Sequence, residues 1–221
     1  MAAKQRRSEI TVERLLTAAL KVWAAGGGQG LSVQAVTEVS GVSQGSLYHH
    51  FGSLDGLAAA LYTRCTAEMF DEILDRLRHA RTAREGVHAI VRGYLGFTGQ
   101  RPDAAWFIHA SAYAGYLAAH AEQIWAAKQE KLEAVAAWLR PRVAAGEIAA
   151  IPEPLMEMLL IGPVAETARR WLSRVPGIDL DEAAQVLPDR IWRSVRPDPP
   201  PPTADHTPEE SPAPPPAQEP R

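Results

Sequence analysis

The residues with the clearest chemistry lie between Ser43 and His50. The run Gln44-Gly45-Ser46-Leu47-Tyr48-His49-His50 is rich in hydrogen-bonding side chains and carries almost no formal charge. Such side chains suit the edges of base pairs in a major groove, which present hydrogen-bond donors and acceptors. Gly45 adds a place where the backbone can approach a partner closely. The run is therefore a candidate base-reading helix.

A tight turn precedes this helix and would position it. The joint Val39-Ser40-Gly41-Val42-Ser43 separates two short helical patterns, and its glycine permits a positive φ. Four apolar residues around the joint are spaced to pack against one another: Val36, Val39, Val42 and Leu47. This layout is typical of a helix-turn-helix. We expect Ser43 to cap the second helix, so that its N-terminal amides and positive dipole end face a phosphate.

Helical spacing dominates the rest of the chain, which predicts an all-α fold of about nine helices. The first begins at Thr11 as N-cap, and two short helices follow after Ser32 and at Ser43. Capping residues and apolar spacing predict a long helix after Ser53, with Leu57, Leu61, Cys65 and Met69 at i+4 spacing, and a helix from Thr82, which forms a capping box with Glu85. Three more helices are predicted over 104–118, over 122–140, which Pro141 ends or kinks, and over 155–172, which Gly162-Pro163 interrupts. A last helix runs from Asp179 to Val195.

The chain divides into three parts. Residues 1–55 form an N-terminal arm and the helix-turn-helix domain, residues 56–195 form a C-terminal helical bundle, and residues 196–221 form a tail. From Pro197 onward, 11 of 25 residues are proline. This acidic tail has too little apolar surface to offset the loss of chain entropy, so we expect it to be disordered.

Composition limits the function and the location. The net charge of −3 excludes a strongly basic coat that would bind any polyanion. The single cysteine, Cys65, excludes an internal disulfide framework and a multi-cysteine metal centre. Residues 104–121 lack formal charge but contain histidines and are marginal in length for a membrane span. Without a signal peptide pattern, the sequence predicts a cytoplasmic protein and no contact with a membrane.

From Thr11 to Leu57 the sequence resembles the TetR family of transcriptional regulators, without a gap. The resemblance includes Arg14–Leu20 in the first helix and Leu31–Thr37 at the second. Its most specific part is Gly41–Phe51, which has a Gly-Val-Ser turn, a glycine two residues later, then Leu-Tyr and a closing Phe. The resemblance implies a transcriptional regulator that binds double-stranded DNA.

The resemblance also implies roles for single residues. Ser32 and Ser43 match positions that contact backbone phosphate at the starts of the second and third helices. The positions that face bases or flanking phosphates correspond to Gln44, Gly45, Ser46, Tyr48, His49 and His50.

The chain departs from the family at three positions that often carry lysine, namely Gln44, Gly52 and Leu54. Because phosphate neutralisation supplies much of the affinity for DNA, we expect weaker binding with a flatter salt dependence. We hypothesise that the arm residues Lys4, Arg6 and Arg7 compensate, lying along the DNA backbone or in the minor groove.

A candidate ligand site lies in the helical bundle. Five aromatic or histidine residues recur at spacings of three and four: Trp106, His109, Tyr113, Tyr116 and His120. They would share one stripe if the segment is a continuous helix. Two interpretations stay open, a plain core face and a pocket lining in which aromatic rings supply apolar surface and imidazoles supply hydrogen bonds. The two histidines have no carboxylate companion, so the sequence predicts no metal and no cofactor.

The last two predicted helices are candidates for a dimer surface. Leu155–Ile161 is too apolar for a solvent-facing helix, and Leu187, Ile191 and Trp192 add to it. The segment 160–172 is similar to a Gly-Pro-containing helix common in the family's dimer interface; burial within the monomer is the alternative. A homodimer would place two recognition helices about one DNA turn apart (~34–36 Å), as a palindromic operator requires.

Three classes of function remain to be weighed. The resemblance implies a dimeric repressor, released when a small apolar or aromatic molecule enters the second domain and changes the separation of the DNA-binding heads. A DNA-binding regulator without a small-molecule effector, controlled by a protein partner on the proline-rich tail, is the alternative. An enzyme using His109, His120 or Cys65 is disfavoured, because no nucleophile–base set, phosphate loop or carboxylate pair accompanies them.

Overall fold

The computed structural model of the chain describes residues 2–27, 30–111 and 115–198; for residues 2–4, 116 and 117 it describes the backbone alone. Within these ranges it contains ten α-helices and no strand, which confirms the predicted all-α class. The helices are α1 (Ala2–Ala25), α2 (Val33–Ser40), α3 (Gln44–Phe51), α4 (Leu54–Leu77), α5 (Ala83–Gln100), α6 (Pro102–Ser111), α7 (Gly115–Ala119), α8 (Ala121–Ala144), α9 (Glu153–Leu172) and α10 (Leu180–Val195).

The helix starts follow local capping chemistry, as predicted. Ser32, Ser43, Ser53 and Asp179 each accept a hydrogen bond from the backbone N–H three residues later. The Thr82 hydroxyl accepts from the Glu85 N–H, and the Glu85 carboxylate accepts from the Thr82 N–H, which completes the predicted capping box.

The first helix begins earlier than its predicted cap. Helix α1 starts at Ala2, and Thr11 lies inside it, with its hydroxyl donating to the Arg7 carbonyl oxygen at 2.9 Å. The predicted N-cap was therefore wrong. Alanine, lysine, glutamine and arginine precede Thr11, and these residues favour a helix strongly enough to extend α1 through the basic arm.

Two prolines do not end their helices. Helix α8 continues past Pro141 to Ala144, and α9 is continuous through Gly162-Pro163, so the predicted interruption of α9 is wrong. An internal proline costs roughly 3 kcal/mol of helix stability. In α9 this cost is opposed by four side chains buried against neighbouring helices: Met156, Leu160, Val164 and Ala168.

The hydrophobic core connects the N-terminal helices to α4 and α6. Leu57, Leu61, Cys65 and Met69 are buried along one face of α4, as predicted from their spacing. At the base of α1, the ring of Trp23 lies edge-on to two rings of α6, with centroid distances of 4.9 Å to Trp106 and 5.0 Å to Phe107. Helix α1 thus packs onto α4 and α6, and α3 packs onto α4.

The predicted helix over 104–118 appears as α6 and α7, and residues 112–114 between them lie outside the described residues. In the described ranges, no helix combines the length and the apolar character needed to cross a membrane.

Candidate nucleic-acid interface and ligand site

The turn between α2 and α3 is built around Ser40 and Gly41. Gly41 has φ 63° and ψ 23°, and its N–H donates to the Thr37 carbonyl oxygen at 2.9 Å. The buried Ser40 hydroxyl accepts from the Val42 N–H at 3.2 Å, and the Ser40 carbonyl oxygen accepts from Arg14 Nη2 at 2.6 Å. Arg14 thereby ties α1 to the turn, a role that sequence analysis missed because the partners are 26 residues apart.

Replacing Gly41 with alanine should lower the free energy of unfolding by about 1–2 kcal/mol, because the left-handed region disfavours a Cβ. The added Cβ would also lie 3.1 Å from Arg14 Nη2. The control is Gly45→Ala, where the new Cβ meets nothing within 4 Å and the residue is helical, so stability should hold or rise. Urea denaturation monitored by circular dichroism compares them. Equal losses in both variants would contradict the assigned role of the turn.

Three of the four apolar residues around the turn pack as predicted. Val36 and Leu47 are fully buried, and Val42 packs against the core. Val39 is 54% exposed, so its predicted packing was wrong. A spacing of three leaves Val39 about 60° away from Val36 around the helix axis, outside the face that α1 and α3 cover.

The face of α3 opposite Leu47 is open and polar. Tyr48 is 43% exposed, Gln44, Gly45 and His49 are exposed, and Ser46 and His50 are half-buried. The caps Ser32 and Ser43 are exposed at the starts of α2 and α3. All eight predicted DNA-binding residues therefore lie on two helix starts and one exposed helix, where a groove could reach them.

A polar network links α1 to α4 and α6 beside the Trp23 contact. Arg64 Nη1 lies 2.8 Å from Glu13 Oε1 and donates to the Thr17 hydroxyl at 3.2 Å. Arg101 Nη2, just before α6, lies 3.0 Å from Glu68 Oε2. Because the Arg64 side chain is only 16% exposed, this tie is screened less than a surface ion pair.

The three predicted ligand residues whose side chains the structure describes, Trp106, His109 and His120, do not share one stripe. Trp106 faces Trp23, whereas His109 Nε2 lies 3.3 Å from the hydroxyl of Tyr94 on α5. His120 lies between α7 and α8 and lines a separate cavity with His50. Tyr113 lies outside the described residues, and the same is true of the Tyr116 side chain. The cavity predicted beside these two tyrosines is thus not tested.

A second group of polar residues, missed from the sequence, lies between α4 and α8. Lys128 Nζ donates to the hydroxyl of the buried Tyr62 at 3.0 Å and sits 4.6 Å from that ring's centroid. In the described part of the chain, no carboxylate pairs with Lys128. Tyr94 is buried near Tyr62, and burial raises the pKa of its phenol above the usual range.

The pH dependence of folding should reflect His109. Burial, reinforced by the charge of Arg169, lowers the pKa of His109. Below the ordinary histidine pKa of 6.5 the unfolded chain takes up this proton more readily than the folded chain, so stability falls as pH falls. Substituting His109→Gln should flatten the loss of stability between pH 7.5 and 5.5, measured by urea denaturation. His79→Gln, at an exposed position, should keep the wild-type slope; an unchanged slope in His109→Gln would contradict the prediction.

Comparison with known proteins agrees with this geometry. Residues 15–61 match the family model described as bacterial regulatory proteins, TetR family. A TetR family transcription regulator from Marinobacter aquaeolei VT8 has 19% sequence identity and a TM-score of 0.72, covering 86% of this chain and 98% of its own. The fatty acid degradation regulator FadR from Bacillus halodurans has 16% sequence identity and a TM-score of 0.67, and the match covers 83% of this chain and 99% of that one. FadR from Bacillus subtilis, solved in complex with stearoyl-CoA, has 16% sequence identity and a TM-score of 0.68, and the match covers 81% of this chain and 97% of that one. A search of curated protein sequences found no match.

The exposed α3 and its braced turn form a helix-turn-helix in front of an all-α body, and they lie within the segment that matches the TetR family model. The match of residues 15–61 to the TetR family model confirms, for that segment, the resemblance seen in the sequence.

Proposed function

We propose that this regulator is a repressor that binds a palindromic operator as a homodimer and leaves it when a small apolar or aromatic molecule binds. The observation that carries DNA binding is the polar, outward face of α3 on a turn that Arg14 and Gly41 brace. We further propose the division into a DNA-binding part (1–55), a ligand and dimer part (56–195) and a tail (196–221). The first boundary falls in the first turn of α4.

The proposed DNA contacts combine phosphate and base recognition. The amide groups at the starts of α2 and α3, behind Ser32 and Ser43, would face backbone phosphates. Gln44, Ser46 and Tyr48 would donate and accept hydrogen bonds at base edges, while Gly45 lets the backbone come close. His49 and His50 would contact the flanking bases or phosphates.

The basic start of α1 should carry much of the salt dependence. Arg6 and Arg7 are exposed there, and each phosphate contact contributes about one unit to the slope of log affinity against log salt. The double variant Arg6→Ala/Arg7→Ala should therefore reduce that slope by about two. Fluorescence anisotropy with operator DNA between 50 and 200 mM salt (about a fourfold range) measures the slope. Arg78→Ala, an exposed arginine at the end of α4, should leave it unchanged. If the double variant keeps the wild-type slope, the basic arm does not replace the phosphate contacts of the lysines that this chain lacks.

The outer faces of α9 and α10 support the proposed dimer. Leu155 and Met158 on α9 are 52% and 67% exposed, and Val186 on α10 is 48% exposed. Met156 and Leu160 turn inward and are buried in the monomer, so the alternative of internal burial accounts for part of the apolar segment. The apolar side chains that remain exposed on these two neighbouring helices suit a second copy of the chain.

The polar groups inside the second domain support a ligand site. Tyr62, Tyr94, His109 and Lys128 place two phenols, an imidazole and an ammonium group among apolar side chains, as a small-molecule site requires. We propose His109 as a polar contact, with Trp106, Tyr113 and Tyr116 as lining. The Bacillus subtilis neighbour was solved with stearoyl-CoA, which is consistent with a largely apolar ligand here. A protein partner on the tail is the alternative effector, and we propose no enzymatic activity.

Selection of bound sequences from random duplex DNA at a fixed salt concentration tests the proposed function. We expect an inverted repeat whose half-sites are centred about 10 base pairs apart or a multiple of that spacing. Enrichment of no sequence, or of a single half-site without symmetry, would overturn it.

A further inference from the structure

The last turn of α3 and the first turns of α4 and α8 border a partly open cavity of about 310 Å³, which we call the junction cavity. We propose that it binds a small aromatic carboxylate. Its lining shares no residue with the ligand site proposed above for the second domain. Its walls belong to both sides of the joint between the DNA-binding head and the helical bundle.

Small side chains on α4 keep this space open. One face of the helix carries only short side chains, which fill little of the space beside it: Gly56, Ala59, Ala60 and Thr63. Gly56 is also where α3 and α4 meet, because a Cβ there would lie 2.1 Å from the Phe51 carbonyl oxygen. The close contact at Gly56 therefore holds α3 at one wall of the cavity while the alanines leave its centre empty.

The polar groups around the cavity favour a ligand that accepts hydrogen bonds. His50 comes from α3, His120 precedes α8, and Gln123 lies on the first turn of α8. Imidazole and amide N–H groups can donate hydrogen bonds to a carboxylate. The described lining contains no aspartate or glutamate that would repel such an anion.

The apolar part of the lining suits an aromatic ring. Phe51 and Ile124 flank the space together with Ala59 and Ala60. A volume of about 310 Å³ lies at the lower end of the range for small-molecule pockets, which fits one or two fused rings. Ring and carboxylate together account for both kinds of lining.

A ligand in this cavity would contact the recognition helix and the bundle at the same time. His50 lies on the last turn of α3, so an occupant hydrogen-bonded to His50 and His120 fixes the position of α3 relative to α8. If the DNA-bound and free arrangements of α3 differ, the ligand changes the affinity for DNA by the ratio of its affinities for the two arrangements. This coupling rests on the proposed function, whereas binding to the free protein does not.

The direct test titrates the full-length protein without DNA, observing histidine ring signals by NMR. The probes are benzoate, cinnamate and 2-naphthoate at constant ionic strength, with benzamide and inorganic phosphate as comparison compounds. We expect saturable shifts of the His50 and His120 signals, assigned through single His→Gln variants, and no shift for His88. Binding of none of the three carboxylates would overturn the proposal. Equal shifts with phosphate would show a site for inorganic anions only. Equal shifts with benzamide would show that binding does not require a carboxylate. Either result would overturn the proposed ligand class.

Two variants and a control locate the binding. Ala60→Leu places a larger side chain in the cavity and should weaken the bound carboxylate at least tenfold. Gln123→Ala removes one donor to the carboxylate and should weaken its binding about tenfold, the order expected for one hydrogen bond to a charged group. Ala127→Leu, exposed one turn further along α8, should bind as wild type. Thermal unfolding confirms that all three are folded, and wild-type binding by a folded Ala60→Leu variant would place the ligand elsewhere.

Discussion

The double variant Leu155→Asp/Met158→Asp should be a folded monomer that binds the palindromic operator at least 100-fold more weakly than wild type. Both side chains are more than half exposed on α9, so the substitutions leave the monomer core intact. Burying each in a dimer would contribute about 1.5–3 kcal/mol, and a buried aspartate would oppose association. The loss of DNA affinity follows because two linked heads gain roughly 10²–10⁴ in avidity over one.

Sedimentation velocity gives the oligomeric state, and anisotropy titrations with the full operator and with one half-site give the affinities. The matched control is Trp125→Asp, which introduces the same charge at a 63% exposed aromatic residue on α8. We expect this control to stay dimeric and to keep the wild-type affinity. A dimeric double aspartate variant, or a monomeric Trp125→Asp variant, would show that another surface forms the dimer.

Substituting Gln44→Ala or Tyr48→Ala should weaken operator binding by about 1–3 kcal/mol, which is roughly 5- to 150-fold, and relax the base preference at one position per half-site. Both residues are exposed on α3, so the melting temperature should stay within about 2 °C of wild type.

Two comparisons separate base reading from damage to the fold. Leu47→Ala, on the buried face of the same helix, should lose about 2–5 kcal/mol of stability. Gln100→Ala, exposed at the end of α5, should bind DNA as wild type. A selection of bound sequences repeated with each variant identifies the relaxed position. If Gln44→Ala and Tyr48→Ala both keep the wild-type affinity and preference, α3 does not read bases through these residues.

Local signals predicted much of the fold. Ser32, Ser43, Ser53 and Asp179 cap helices as expected, because a capping hydrogen bond joins atoms only three residues apart. Gly41 adopts the positive φ that the turn requires, for the same local reason. The burial of one α4 face follows from i+4 spacing alone.

Features that depend on packing between helices differ from the predictions made from the sequence. The interruption expected at Pro163 does not occur, since burial of the inner face of α9 outweighs a local defect. Val39 has the residue type of a core position but lies outside the covered face. Helix α1 starts before Thr11, because the residues that precede this potential cap favour the helix themselves.

The sequence by itself determined that the chain is helical, where most helices begin, and which turn and helix form the candidate DNA-reading element. Those features follow from hydrogen bonds and side-chain spacing within a few residues. Only the tertiary structure decided that Arg14 braces the turn, that Trp106 faces Trp23 while His109 meets Tyr94, and that His120 lies beside His50. Such partners are 15 to 83 residues apart in the chain, and side-chain packing between helices brings them together.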